Sequence, residues 1–188
     1  MSLFEFIFAL SAVVLGLALT HIAATIHKLL LAGRRVRWAI EPVLLTCIVM
    51  LVIVSVWLGS WSERGQTNVA FWQVLVGVAK LLTLYVAAAS CLPEPDGTGP
   101  IDLEEHYRRT RLLSFGALIA SLLLFRVHAI AIYGLPEAVT LGLIVNWLLY
   151  PILYALLIFI RHRWFNICIL GFIIAYYGWR VAGNQVAG

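Results

Sequence analysis

Long apolar runs separated by short polar connections dominate this chain. Six runs can be drawn, at roughly 3–31, 38–61, 69–92, 112–132, 138–160 and 164–181. Each is long enough to cross a hydrocarbon core about 30 Å thick as a helix rising about 1.5 Å per residue. The only polar stretch of any length is the connection at 93–111. Its proline- and glycine-rich first part is a linker. Its second part starts a helix, because Asp102 followed by Glu105 resembles a capping box, and Glu104 with Arg108 and Glu105 with Arg109 are spaced for i,i+4 pairs. The pattern predicts an all-α integral membrane protein. It forms a six-transmembrane-helix bundle in one domain over residues 1–188, with a cytoplasmic loop at 93–111 and a short interfacial helix before the fourth span.

Composition sharpens this reading. Hydrophobic residues make up 63% of the chain and charged residues 12%, against about 45–50% and about 25% in soluble domains. The charges are unevenly distributed. Lys28 and eight arginines, Arg34, Arg35, Arg37, Arg108, Arg109, Arg111, Arg161 and Arg163, lie at alternate connections, whereas the opposite ends carry only Arg64 and Arg180. The positive-inside rule then puts both termini outside the cytoplasm. The eight arginines also form a face able to meet anionic lipid headgroups or a partner protein. Topology already explains the net charge of +4, so nucleic acid is excluded as a partner.

The first run contains Glu5 and is too long for a signal-peptide core, so it is expected to be a retained helix. The chain has no N-x-S/T sequon, which fits a bacterial cytoplasmic (inner) membrane. Cys47, Cys91 and Cys168 are odd in number and widely spaced inside apolar runs. They read as small buried apolar residues, and no metal or cofactor is implied.

Candidate chemistry concentrates at one depth. Lys80 lies about 15 Å along the third run, near the bilayer midplane, where an ionisable group is costly and marks a functional site by default. Gln73 and Gly77 share its helix face, a small polar stripe expected to face other helices. On the fifth run, Asn146 and Tyr150 share one helix face, Pro151 frees the Trp147 carbonyl for a new partner, and Asn146 and that carbonyl fall nearly level with Lys80. On the fourth run, His128 shares a side with Ser121 and Ser114 and is expected inside, with Arg126 on the opposite side. Arg126 is expected to snorkel to headgroups or to reach Glu5 or Glu137.

Every Asp and Glu lies in a connection or near the end of a run. Three resolutions follow for Lys80: it is neutral, it donates to Tyr, Asn and carbonyl groups while charged, or it meets an anionic ligand or a hydrated path. The first run carries Ala12, Gly16, Thr20 and Ala24 at four-residue spacing, a helix-packing stripe suited to a homo-oligomer or a membrane partner.

Two functions fit these residues. The leading one is a small transporter or channel for an anion, an organic acid or protons. Its path would be built from Lys80, Gln73, Asn146, Tyr150, His128 and Ser121. The alternative is a non-catalytic structural or regulatory subunit that docks a partner through the basic face. No H-E-x-x-H, G-x-S-x-G or P-loop motif occurs, so an intramembrane enzyme ranks third.

Overall fold

The computed structural model describes residues 3–60, 70–95, 99–134 and 141–183, with backbone alone at 3–6, 141, 142, 145, 146 and 180–183. Six long helices account for nearly all of it: α1 (Leu3–Ala32), α2 (Ile40–Ser60), α3 (Phe71–Ser90), α4 (Leu103–Tyr133), α5 (Leu141–Phe159) and α6 (Arg163–Gly183). Among the described residues, α1 to α4 are long and apolar enough to cross a membrane, and Trp147–Phe159 is a shorter apolar stretch. The outer surface is apolar too. Leu31, Leu112, Phe159 and Trp164 all point outward, as suits side chains that meet lipid rather than water. This is an all-α, membrane-embedded protein.

The termini of the helices follow local chemistry. α1 stops where Gly33 adopts φ 54°, a left-handed conformation that glycine enters without a Cβ penalty. Gly134, at φ 77°, ends α4 in the same way. The α3 N-terminus is tied by Gln73, whose Oε1 accepts the Ala70 N–H at 2.7 Å. At the start of α4, Asp102 Oδ1 accepts the N–H groups of Glu104 at 2.9 Å and Glu105 at 3.2 Å. The expected cap is therefore present, but the separate interfacial helix is not. Leu103 to Tyr133 is one unbroken helix, because no proline lies within it to interrupt the hydrogen-bond ladder.

Two features just outside the helices were not expected. Val36–Arg37 (β1) and Ile101–Asp102 (β2) pair as a two-residue parallel ladder, with Val36 opposite Ile101. Arg37 and Asp102 also form an ion pair at 3.3 Å. The turn after α1 is thereby fastened to the start of α4.

Packing centres on α3, which lies against α4 and α1; α2 packs on α6, and α5 on α4. The inward face of α1 is Leu15, Ala18, Ile22, Thr25 and Leu29, a three-and-four spacing that keeps one stripe on its neighbours. The stripe of Gly16, Thr20 and Ala24 is exposed, and Ala12 is half-buried. Small residues on α1 thus face away from this chain's own core. Cys91 is buried, but Cys47 and Cys168 are exposed. An apolar run says which residues are in the membrane, not which of them turn inward. The expected run ends at 61, 69 and 138 and the loop residues 96–98 lie outside the described residues.

Candidate ligand site around Lys80

Lys80 is the tenth residue of the 20-residue α3, about 15 Å from either end of the helix. It is 9% exposed. Its Nζ lies 4.4 Å from the centroid of the Phe125 ring on α4, a cation–π distance. The backbone at this level is also engaged. The Lys80 carbonyl accepts hydrogen bonds from Ser121 Oγ at 3.2 Å and from Thr83 Oγ1 at 2.8 Å. Ser121 therefore holds α4 against α3 at the depth of the lysine through the backbone, while the ammonium extends elsewhere.

That elsewhere is the meeting point of two cavities. The smaller, about 60 Å³, lies among α1, α2, α3 and α4, and Ser11, Ser60, Gln73, Gly77 and His128 are on its wall with Lys80. The larger, about 330 Å³, lies among α2, α4, α5 and α6, and Ser55, Ser121, Phe125, Tyr154 and Tyr177 are on its wall with Lys80. Among the described residues, Val56, Ser60 and Lys80 belong to both walls. A water needs about 10–15 Å³ of such space, so the smaller cavity takes several waters and the larger a small organic molecule. No acidic residue lies on either wall among the described residues.

Four of the six expected path residues thus converge: Lys80, Gln73, His128 and Ser121. His128 is 8% exposed, its Nδ1 has no hydrogen-bond partner, and its ring meets Trp72 edge-on at 6.4 Å. Gln73 does two things, since its amide oxygen also caps α3. Tyr150 is buried one layer further out, against Tyr154 at 6.3 Å, Tyr176 at 5.9 Å and Tyr177 at 5.0 Å. The tyrosines that reach the larger cavity are instead Tyr154 and Tyr177. The Asn146 side chain lies outside the described residues. Pro151 is inside α5, as the sequence implied. Arg126 stacks its guanidinium over the Trp147 ring at 5.5 Å.

At the other end of the bundle the arginines separate into two groups. Arg34, Arg35 and Arg37 are exposed around the turn after α1, whereas Arg108, Arg109, Arg111, Arg161 and Arg163 gather around a polar pocket. Of the two expected i,i+4 pairs, Glu105–Arg109 forms at 2.8 Å. Glu104–Arg108 is not among the ion pairs of the described residues. No spacing along the chain pointed to the third pair, Glu41–Arg163 at 3.0 Å, in which the Glu41 side chain is 4% exposed. It joins α2 to α6.

Comparison with protein families, curated proteins and solved structures gives no match. The functional reading therefore rests on the site itself. Among the described residues, no three His, Cys, Asp or Glu side chains come together to hold a metal ion. What remains is a cation, an imidazole and several hydroxyls around two adjoining, largely apolar spaces that share the Lys80 wall.

Proposed function

We propose that this chain is a small multi-pass membrane transporter or channel that carries an anion, an organic acid or protons past Lys80. In this reading all six helices span the bilayer, both termini are extracytoplasmic, and the membrane is a bacterial cytoplasmic membrane. The nine-to-two division of Lys and Arg supports that orientation. The observation that carries the function is the pair of cavities that meet at the lysine. A lysine that served only to lock helices together would be expected in dry, filled packing. Here Lys80 supplies charge or a transferable proton, Gln73 and His128 form the narrow side, and Ser121, Tyr154 and Tyr177 form the wide side. Phe125 offers the ammonium a weak resting contact that an anion with a full charge would displace.

The test is flux through liposomes that contain the purified protein, wild type beside Lys80→Met. Methionine keeps the apolar stem and removes the charge and the donors. The expected result is an unchanged unfolding midpoint with lost or altered anion or proton flux. Wild-type protein that moves neither, or two proteins that behave alike, would overturn the proposal.

The alternative, a structural or regulatory subunit, draws support from the outward-facing Gly16, Thr20 and Ala24, which offer close approach to a second helix. It predicts no flux from either protein and a stable complex with a membrane partner.

A further inference from the structure

The arginine-rich end of the bundle holds a pocket of about 460 Å³ among α2, α4 and α6, remote from Lys80. Three buried polar atoms there have no hydrogen-bond partner: Glu41 Oε2, the Tyr107 hydroxyl and Asn166 Oδ1. Their residues are 3%, 4% and 4% exposed and come one from each helix. Buried polar groups without partners are uncommon, and each one needs an explanation. Here all three lie on the wall of one polar pocket.

Charge and hydrogen-bonding capacity together define what the pocket takes. Five arginines and three glutamates line it, and five minus three leaves a net +2. That favours an anion. A bare anion, however, gives nothing to the orphan oxygen of Glu41, which only accepts. The ligand must therefore carry a donor beside its negative charge. We propose that this pocket binds a phosphate ester with a neighbouring hydroxyl, the headgroup chemistry of a glycerol-phosphate lipid. Arg108, Arg111 and Arg161 meet the phosphate, and the Tyr107 hydroxyl donates to it. The ligand hydroxyl donates to Glu41 Oε2, whose other oxygen already holds Arg163. The Asn166 amide accepts from the hydroxyl or, turned over, donates to the phosphate. The pocket lies at the ends of helices, at the level where headgroups sit if these helices cross the bilayer, and basic pockets of this kind suit anionic headgroups.

The test uses the purified full chain in detergent micelles, titrated separately with phosphatidylglycerol, phosphatidylmethanol, phosphatidylcholine and sn-glycerol 3-phosphate. Affinity is read by native mass spectrometry and by shift of the unfolding midpoint. Phosphatidylmethanol has the same phosphodiester charge as phosphatidylglycerol but no hydroxyl, so it isolates the Glu41 contact. Phosphatidylglycerol should bind about tenfold more tightly than phosphatidylmethanol, as one hydrogen bond to a charged group implies. Tyr107→Phe and Arg161→Gln should each weaken phosphatidylglycerol binding about tenfold. Phenylalanine keeps the edge-on ring contact with Phe115 at 6.2 Å, so the fold should survive.

Arg37→Gln is the control, because Arg37 lies on the same basic end but not on the pocket wall. Its effect should stay within about twofold. Binding of sn-glycerol 3-phosphate with the same dependence on the variants, without lipid binding, upholds the chemistry and moves the source from lipid to solution. Equal affinity for phosphatidylglycerol and phosphatidylmethanol overturns the proposal. So does a loss at Arg37→Gln equal to that at Arg161→Gln, which would mean surface charge alone.

Discussion

Removing Arg163 should destabilise the fold more than removing its partner Glu41, although both deletions break the same 3.0 Å ion pair. The asymmetry follows from burial: the Glu41 side chain is 4% exposed and that of Arg163 53%. Breaking a fully buried pair costs about 3–5 kcal/mol, because an uncompensated charge stays inside. An exposed pair is worth about 0–1 kcal/mol. Arg163→Met lies between these limits, at about 2 kcal/mol, since it strands the buried glutamate while methionine retains the apolar stem. Glu41→Gln leaves only a half-exposed guanidinium, which water and the new amide can satisfy, so it should cost about 1 kcal/mol. The double variant should cost about 2 kcal/mol, which corresponds to a coupling of about 1 kcal/mol. Reversible unfolding in mixed micelles, followed by tryptophan fluorescence, measures all four corners of the cycle. Additive losses, or a Glu41→Gln cost above that of Arg163→Met, would refute this account of the α2–α6 contact.

Other expectations are simpler to check. Asp102 is held below the usual carboxylate range, first by the Glu105 N–H, with smaller help from the Glu104 N–H and Arg37. A lowered folded-state value means that the stabilisation is complete above the ordinary Asp value of about 3.9 and is lost as pH falls through the folded value. Asp102→Ala should therefore lower the unfolding midpoint at pH 7 and converge with wild type in strong acid. Ser114→Ala removes the 2.8 Å contact between the Ser90 and Ser114 hydroxyls. Its cost should be only about 0.6 kcal/mol, the average for hydrogen bonds between membrane helices, because Ser90 Oγ still donates to the Ala87 carbonyl at 3.0 Å. A Cβ added at the exposed Gly16 meets nothing within 4 Å, so Gly16→Leu should not lower the midpoint. If the exposed stripe joins two copies, cross-linking in liposomes will show the variant dissociated while wild type is not.

How much of this was legible depended on distance along the chain. Run length located the six helices, since a helix satisfies its backbone within its own segment and can therefore fill a whole apolar run. The grouping of Gln73 with Lys80 and of Ser121 with His128 followed from helical periodicity, which relates residues of one helix. Periodicity cannot say which face meets which helix. Tyr177 was not among the expected path residues, yet α6 places it on the larger cavity. Glu41 looked like an ordinary charge near the end of a run until Arg163, far along the chain, covered it. The capping signal at Asp102 was read correctly, but nothing near it gave the length of the helix it starts.

The α3–α4 interface helps to locate the proposed path. Ser90 meets Ser114, and Ser121 meets the Lys80 carbonyl. On α4, Ser114, Ser121 and His128 are all buried and recur every seven residues, the repeat that keeps one seam in register between two gently crossing helices. A seam stitched at successive levels is a poor place for a permeant to pass. Both cavities lie beside it rather than within it, and both are bounded by Val56 and Ser60 of α2. On the transport reading, the barrier between the two spaces is therefore the α2 wall together with the Lys80 side chain, and α3–α4 is the fixed frame. Ser55 and Ser60 each spend their hydroxyl on the carbonyl four residues back, at 2.7 and 2.9 Å. Bonds of that kind often bend a helix. On that reading the moving part is α2, whose Ser55 and Ser60 hydroxyls close on its own backbone.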